Sequence, residues 1–88
     1  MSERLRVLLV DDHALVRKGV RFFLETQTDI EIVGEVGSGE EALTLVEEHA
    51  PDIVLLDLLM PGIGGIEAAR RIKNLSPATR IVVLTSAE

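Results

Sequence analysis

Cysteine, tryptophan and tyrosine are all absent from this sequence of 88 residues, which has only two phenylalanines. The lack of cysteine excludes a disulfide framework, thiolate chemistry and zinc–sulfur sites. Basic residues are also few, 9 against 15 acidic ones, so the formal net charge is -6. That charge argues against binding of nucleic acid or of an anionic membrane through bulk electrostatics.

Long apolar runs are absent as well. No stretch approaches the roughly 20 apolar residues that a membrane-spanning helix needs. The first residues, MSERLRVLLVDDH, do not resemble a signal peptide, because their apolar run is short and ends at two aspartates. We therefore expect a cytoplasmic protein that binds neither a membrane nor nucleic acid directly.

Aliphatic residues are abundant instead. Hydrophobic residues make up 47% of the chain and aromatic residues 2%, which is typical of the interior of an α/β domain. Short apolar runs alternate with longer amphipathic stretches, the pattern of βαβ units. We predict strands at Leu5–Val10, Ile30–Val36, Ile53–Asp57 and Ile81–Thr85.

Three predicted helices separate these strands. The first follows the two aspartates, the second spans Gly39–His49 after a capping box formed by Ser38 and Glu41, and the third spans Gly65–Leu75. The residues at helical spacing that should form their apolar faces are Val16, Val20, Phe23 and Leu24, then Ala42, Leu45 and Val46, then Ile66, Ala69 and Ile72.

Acidic residues follow two of the strands directly. Asp11 and Asp12 come after the first strand, Asp57 ends the third, and Thr85 ends the fourth. Short crossovers between strands imply a parallel sheet, and ligands of such sheets bind beyond the carboxyl ends of the strands. We expect these four residues to meet at one edge of the sheet.

Three converging carboxylates would repel one another and raise one another's pKa. A divalent cation relieves this repulsion, and Mg²⁺ prefers oxygen ligands. One oxygen of Asp57 could then bind the metal while the other attacks phosphorus, as in proteins that form aspartyl phosphates. Thr85 could donate its hydroxyl to the phosphate.

Three stretches of the sequence, VLLVDDHALVRKGV, IVLLDLLMPGIGGIEAARRI and IVVLTSA, resemble response-regulator receiver domains of the CheY-like fold. The first stretch most resembles the receivers of NarL/FixJ (LuxR-type) transcription factors. The resemblance implies a flavodoxin-like, doubly wound parallel sheet in a signalling module that is not an enzyme. It also implies a histidine kinase as the phosphoryl donor.

The resemblance assigns a role to each matching residue. Asp57 would be the phosphoacceptor, Asp11 and Asp12 the acids that bind Mg²⁺ with it, and the backbone carbonyl of Leu59 a further metal ligand. Thr85 would be the switch hydroxyl. Gly65 would let the following helix start close to the strand.

The resemblance implies that residues 1–88 are the N-terminal portion of such a domain, up to its fourth strand. We expect the final helix–strand–helix part, with its phosphate-pairing lysine, and the DNA-binding output domain to be missing. The strand Ile81–Thr85 would then be an unprotected sheet edge. We expect a second copy, a swapped segment or another chain to complete the sheet there.

Two other functions are weighed against phosphoryl signalling. A truncated receiver could act mainly as an assembly or dimerisation module without phospho-signalling. A phosphohydrolase of the haloacid-dehalogenase kind is disfavoured. Such enzymes have a D-x-D motif after a strand, whereas Asp57 is followed by two leucines.

The candidate residues also have plainer interpretations. Asp57 could cap the following turn, Asp11 or Asp12 could cap the first helix, and Thr85 could be an ordinary strand residue. His13 could be a ligand or a base, but a loop residue at the helix start is the favoured interpretation. The cations of the first helix form either a solvated face or a docking surface for a kinase: Arg17, Lys18 and Arg21.

Overall fold

Strands and helices alternate along the chain in the computed structural model, which describes residues 4–84. The elements are β1 (Leu5–Val10), α1 (Ala14–Glu25), β2 (Ile30–Val36), α2 (Gly39–His49), β3 (Ile53–Asp57), α3 (Gly64–Leu75) and β4 (Arg80–Leu84). Every element bound predicted within the described residues is confirmed to within one position. Thr85 lies outside them.

The four strands form one parallel sheet in the order β2-β1-β3-β4. The chain runs from β1 outward to β2 and then returns across β1 to β3, so the strand order reverses between β1 and β3. This is the doubly wound arrangement expected from the sequence, and a crevice opens where the order reverses. Strand β2 lies at one edge of this sheet.

The main hydrophobic core lies between the sheet and the pair formed by α2 and α3. Its buried members are Leu8, Val10, Ala42, Val46, Val54, Leu56, Met60, Ala68 and Ile72. Helix α1 packs against β1 and β2 instead. Alternation along β1 turns Val7 and Leu9 away from the main core, and both are buried as well.

The predicted capping box of α2 is confirmed. The hydroxyl oxygen of Ser38 accepts a hydrogen bond from the backbone N–H of Glu41, and the Glu41 carboxylate accepts one from the backbone N–H of Gly37. The helix ends before Ala50, which has a left-handed backbone with φ 42°. These contacts fix where α2 begins and ends.

Two predictions of apolar helix faces were wrong in part. Ile66 is 75% exposed, and the buried residues of α3 are Gly65, Ala68 and Ile72. The reason is that Gly65 contacts the end of β3, which rotates Ile66 outward. In α1, Val20 and Leu24 are half-buried, but Val16 is 46% exposed and Phe23 64% exposed.

Apolar surface therefore remains uncovered among residues 4–84. On α1, Leu15 is 84% exposed and Phe22 75% exposed. On β4, which has a neighbouring strand on one side only within this part of the chain, Val82 and Val83 are half-exposed. The described residues include no helix long and apolar enough to cross a membrane.

Candidate metal and phosphoryl site

The three predicted acids emerge side by side at one edge of the sheet. Val10 of β1 is in register with Leu56 of β3, so the residues that follow them, Asp11 and Asp57, leave adjacent strands at the same level. Asp11 is 6% exposed and Asp57 5% exposed. The sequence-based expectation that distant acids meet at the carboxyl ends of the strands is confirmed for these residues.

Four side chains converge here rather than three. Each of Asp11, Asp12, His13 and Asp57 offers one ligand atom, and these atoms all lie within 4.8 Å of one another. Carboxylates at this separation repel each other unless a cation lies between them. The arrangement is suited to binding a positive charge.

Backbone N–H groups orient two of the carboxylates. Oδ1 of Asp57 accepts a hydrogen bond from the Leu59 backbone N–H at 2.9 Å. Oδ1 of Asp11 accepts one from the His13 backbone N–H at 2.8 Å. In Asp57 the second oxygen, Oδ2, lies on the side of the cluster, 3.9 Å from Nδ1 of His13. One oxygen of Asp57 is thus held by the backbone while the other faces the acids.

His13 belongs to this cluster, although the sequence favoured a loop residue at the helix start over a ligand. Its Nδ1 is 3.1 Å from Oδ1 of Asp11 and 3.2 Å from Oδ1 of Asp12. The hydrogen bond to Asp11, followed by the charge of Asp12, raises the pKa of His13 above its ordinary value of 6.5. The sequence signal that could have placed His13 in the cluster is its position, directly after the acid pair and directly before α1.

The donor set fits a hard divalent cation. Three carboxylates supply oxygen ligands, and two of them are almost fully buried at a crevice of the sheet. Mg²⁺ takes one or two carboxylates from a protein and fills its remaining positions with water or phosphate oxygens. The residues present therefore suit Mg²⁺. The assignment of the Leu59 carbonyl as a ligand stays a prediction.

A glycine lets α3 start against the end of β3. A Cβ atom on Gly65 would lie 2.3 Å from Cα of Leu58 and 2.6 Å from the carbonyl oxygen of Asp57. Gly62 and Gly64 have φ of 80° and 79°, which favours glycine because other residues are strained there. The turn between Asp57 and α3 is therefore tight, and the expected role of Gly65 in close packing is supported by these contacts.

Arg17 and Arg21 are not a free solvated face. Both guanidinium groups pair with Glu35 of β2, at 3.2 Å from Arg17 and 2.7 Å from Arg21. Arg17 also donates from Nη1 to the backbone carbonyl of Asp11. Lys18 is exposed. Thr85, the predicted switch hydroxyl, lies outside the residues that the structure describes.

Residues 7–88 match the family described as the response regulator receiver domain. The transcriptional regulatory protein YhcZ of Bacillus subtilis is 51% identical over 82 residues, which cover 93% of this chain and 38% of that protein. LiaR, a transcriptional regulatory protein of the same species, is 49% identical over 93% of this chain and 39% of its own length. The chain thus spans about two fifths of the length of these relatives.

Solved structures agree with this match. A LuxR-family two-component response regulator from Aurantimonas sp. superimposes with a TM-score of 0.90 at 42% identity, over 98% of this chain and 61% of that one. The receiver domain of the putative response regulator NarL from Mycobacterium tuberculosis gives a TM-score of 0.91 at 36% identity, over 99% of this chain and 70% of that one.

Proposed function

This chain belongs to the response regulator receiver family, and from that premise we propose that it accepts a phosphoryl group from a histidine kinase onto Asp57, with Mg²⁺ bound by Asp11, Asp12 and Asp57. The proposal rests on the different surroundings of the two carboxylate oxygens of Asp57. Oδ1 accepts from the Leu59 backbone N–H, and Oδ2 lies 3.9 Å from Nδ1 of His13, whose ring contacts both other acids.

The chain's own residues supply the nucleophile and its orientation. Oδ2 of Asp57 attacks phosphorus, the P–N bond of the donor's phosphohistidine breaks as the new P–O bond forms, and the electron pair returns to the imidazole. Asp11 and Asp12, with the Leu59 carbonyl as a proposed further ligand, would hold Mg²⁺, and the bound ion would offset the negative charge on the oxygens of the transferring phosphoryl group. The hydroxyl of Thr85 is proposed to donate to those oxygens afterwards.

The reaction modifies the protein itself, so the chain acts as a phosphoacceptor in signalling and not as an enzyme that turns over a substrate. The relatives YhcZ and LiaR are transcriptional regulatory proteins. By analogy, we propose that phosphorylation of Asp57 controls a DNA-binding output domain in the cytoplasm. The kinase is the direct partner, and this chain itself does not contact DNA.

Thermal unfolding in the presence of Mg²⁺, with and without beryllofluoride, tests the proposal. Beryllofluoride with Mg²⁺ mimics an aspartyl phosphate and should stabilise the folded state. A ligand at one hundred times its dissociation constant contributes about 2.7 kcal/mol, which corresponds to roughly 10–20 °C in a domain of this size.

Two variants show whether the shift depends on Asp57. Asp57→Asn should abolish the shift, because its side chain lacks the charged oxygen that the ligands need. Asp29→Asn makes the same chemical change just before β2, at the opposite ends of the strands, and should keep the shift. A shift that survives Asp57→Asn, or no shift in the wild type, would contradict the proposed phosphoacceptor.

A second candidate function is assembly through β4. The half-exposed Val82 and Val83 lie on opposite faces of an edge strand, and natural edges normally carry charge, proline or a bulge instead. We propose that the segment Ile81–Thr85 pairs with the same segment of a second copy, or with a swapped one, and so completes the sheet.

Analytical ultracentrifugation at micromolar concentration tests the assembly. A dimer is expected for the wild type and a monomer for Val83→Lys, because a charged side chain blunts an edge strand. Ile66→Lys places the same side chain on the exposed surface of α3 and should leave the dimer intact. A wild-type chain that stays monomeric and unfolds cooperatively would rule this assembly out.

A further inference from the structure

A charged side chain, Arg17, contacts the backbone of the acid cluster. Nη1 of Arg17 donates a hydrogen bond to the backbone carbonyl of Asp11 at 2.5 Å. Nε of the same side chain donates to Oε1 of Glu35 at 3.2 Å. Arg17 therefore connects the loop that carries Asp11 and Asp12 to strand β2.

The second end of this contact is itself held in place. Oε2 of Glu35 accepts a hydrogen bond from Nη1 of Arg21 at 2.7 Å, so each carboxylate oxygen of Glu35 has one guanidinium partner. The backbone N–H of Asp11 donates to the carbonyl of Val36, in the same strand as Glu35. The backbone of Asp11 is thus bonded on both its N–H and its carbonyl side, once directly and once through Arg17.

We propose that Arg17 is a positioning residue of the metal site: its guanidinium, held by Glu35, fixes the backbone of Asp11 and so keeps the carboxylates of Asp11 and Asp12 in place for Mg²⁺. This inference rests on the proposed Mg²⁺ binding. Arg17 touches neither the metal ligand atoms of Asp11 nor phosphate, and it acts through the peptide between Asp11 and Asp12.

Charge explains why a guanidinium can be used at this place. A bare cation beside three carboxylates would compete with Mg²⁺ for their negative potential. Glu35 offsets that cation, and its hydrogen bond from Arg21 lowers the pKa of the Glu35 carboxyl, so it is ionised at neutral pH. The Arg17–Glu35 pair can hold the loop without opposing the metal with a full positive charge.

Arg21 provides a matched control for Arg17. Both residues lie on α1, both donate to Glu35, and only Arg17 also contacts the carbonyl of Asp11. A role limited to the stability of the α1–β2 contact predicts similar effects for Arg17→Met and Arg21→Met. A positioning role predicts a clearly larger loss of Mg²⁺ affinity for Arg17→Met than for Arg21→Met, because Arg21 reaches the Asp11 carbonyl only through Glu35 and Arg17.

The experiment is an NMR titration of the backbone amides with MgCl₂ at constant ionic strength. Loss of residues that orient metal ligands typically lowers metal affinity by about 10–100-fold. Because Arg17 holds the backbone of a ligand and not the ligand atom, we expect Arg17→Met to lower Mg²⁺ affinity by about tenfold. Arg21→Met should change Mg²⁺ affinity by less than about twofold, which is small beside the loss expected for Arg17→Met. Thermal unfolding without metal gives the stability loss of each variant separately.

Gly37 offers an independent way to disturb the guanidinium. A Cβ atom at this position would lie 3.2 Å from Nη1 of Arg17. Gly37→Ala should therefore displace the guanidinium and weaken Mg²⁺ binding, but it should have no further effect when Arg17 is already methionine. Such non-additivity is expected only for groups that act through one contact.

The outcomes separate this inference from the proposed function. If the wild type binds Mg²⁺ and Arg17→Met binds it equally well or more tightly, Arg17 has no positioning role, although the metal site stands. Equal losses for Arg17→Met and Arg21→Met would also overturn the positioning role. A wild type that binds no Mg²⁺ would overturn both proposals.

Discussion

Replacing Gly65 with alanine should push the start of α3 away from the end of β3 and distort the turn that carries Asp57. The added Cβ would lie 2.3 Å from Cα of Leu58 and 2.6 Å from the carbonyl oxygen of Asp57. Both atoms belong to the backbone, so neither can move aside by rotating a side chain. Relief requires the helix and the strand end to separate by about an ångström, because heavy atoms in close-packed interiors rest near 3.5–4.0 Å.

The expected loss of stability follows from two opposing contributions. Overpacking a close contact costs about 1–3 kcal/mol, and more when the backbone must shift. Alanine is favoured over glycine in a helix by about 0.8–1.0 kcal/mol, which offsets part of this cost. With the steric cost at or above the upper limit of its range, the net loss is about 2 kcal/mol or more, equivalent to roughly 8–16 °C in the unfolding midpoint of a small domain.

Urea unfolding followed by circular dichroism measures this loss, and Gly19→Ala is the control. Gly19 lies on the exposed side of α1, and a Cβ there would meet nothing within 4 Å. The same substitution should therefore stabilise the protein at that position, by about 0.5–1 kcal/mol. The two variants should move the midpoint in opposite directions.

A change of less than about 0.5 kcal/mol for Gly65→Ala, the size of an ordinary surface substitution, would refute the reasoning. It would mean that α3 does not rest on the backbone of Leu58. Equal shifts for both glycine variants would show that helix propensity, and not the contact with β3, determines the result.

Three further predictions concern the rest of the fold. Ser38→Ala should cost about 0.5–2 kcal/mol in urea unfolding, since the hydroxyl that accepts from the backbone N–H of Glu41 is lost. Leu56→Ala should cost about 2–5 kcal/mol, because this fully buried side chain leaves a cavity in the main core. Hydrogen bonding by Arg21 lowers the pKa of Glu35 from its ordinary 4.5, so Glu35 contributes stability above pH 4.5 that is lost as the pH falls through its lower folded-state pKa. Unfolding measured from pH 3 to 6 should therefore be less dependent on pH in Glu35→Gln.

The strands and the acid cluster could be predicted because their signals are local or topological. The bounds of the strand Leu5–Val10 match the prediction, and its residues Val7–Val10 are buried on both faces of the sheet. The meeting of Asp11 with Asp57 follows from the rule that parallel strands place their carboxyl ends at one edge. Neither conclusion needs knowledge of side-chain packing.

The rotation of the helices could not be predicted with the same certainty. In α3, the set Ile66, Ala69 and Ile72 and the set Gly65, Ala68 and Ile72 both have helical spacing. Only the contact of Gly65 with the end of β3 distinguishes them. The bond from Arg17 to the Asp11 carbonyl likewise depends on how α1 sits over the sheet.

His13 shows a similar limit. Its ring reaches Asp11 and Asp12 because the chain turns sharply into α1 after the acid pair. Sequence spacing shows that the three residues are neighbours, but it does not show that the ring folds back onto both carboxylates.

Strand β1 lies inside the sheet and is synthesised before the other three strands. Its four consecutive buried residues, Val7–Val10, cannot be shielded until β3 has also been synthesised and paired with it. During translation this apolar segment therefore stays exposed to solvent, where the same segments of different nascent chains can associate. Charged side chains stand on both sides of it, Arg4 and Arg6 before and Asp11 and Asp12 after, and such flanking charges act as gatekeepers against aggregation. Neutralising the acid pair should consequently lower the soluble yield of newly made protein as well as the affinity for a cation.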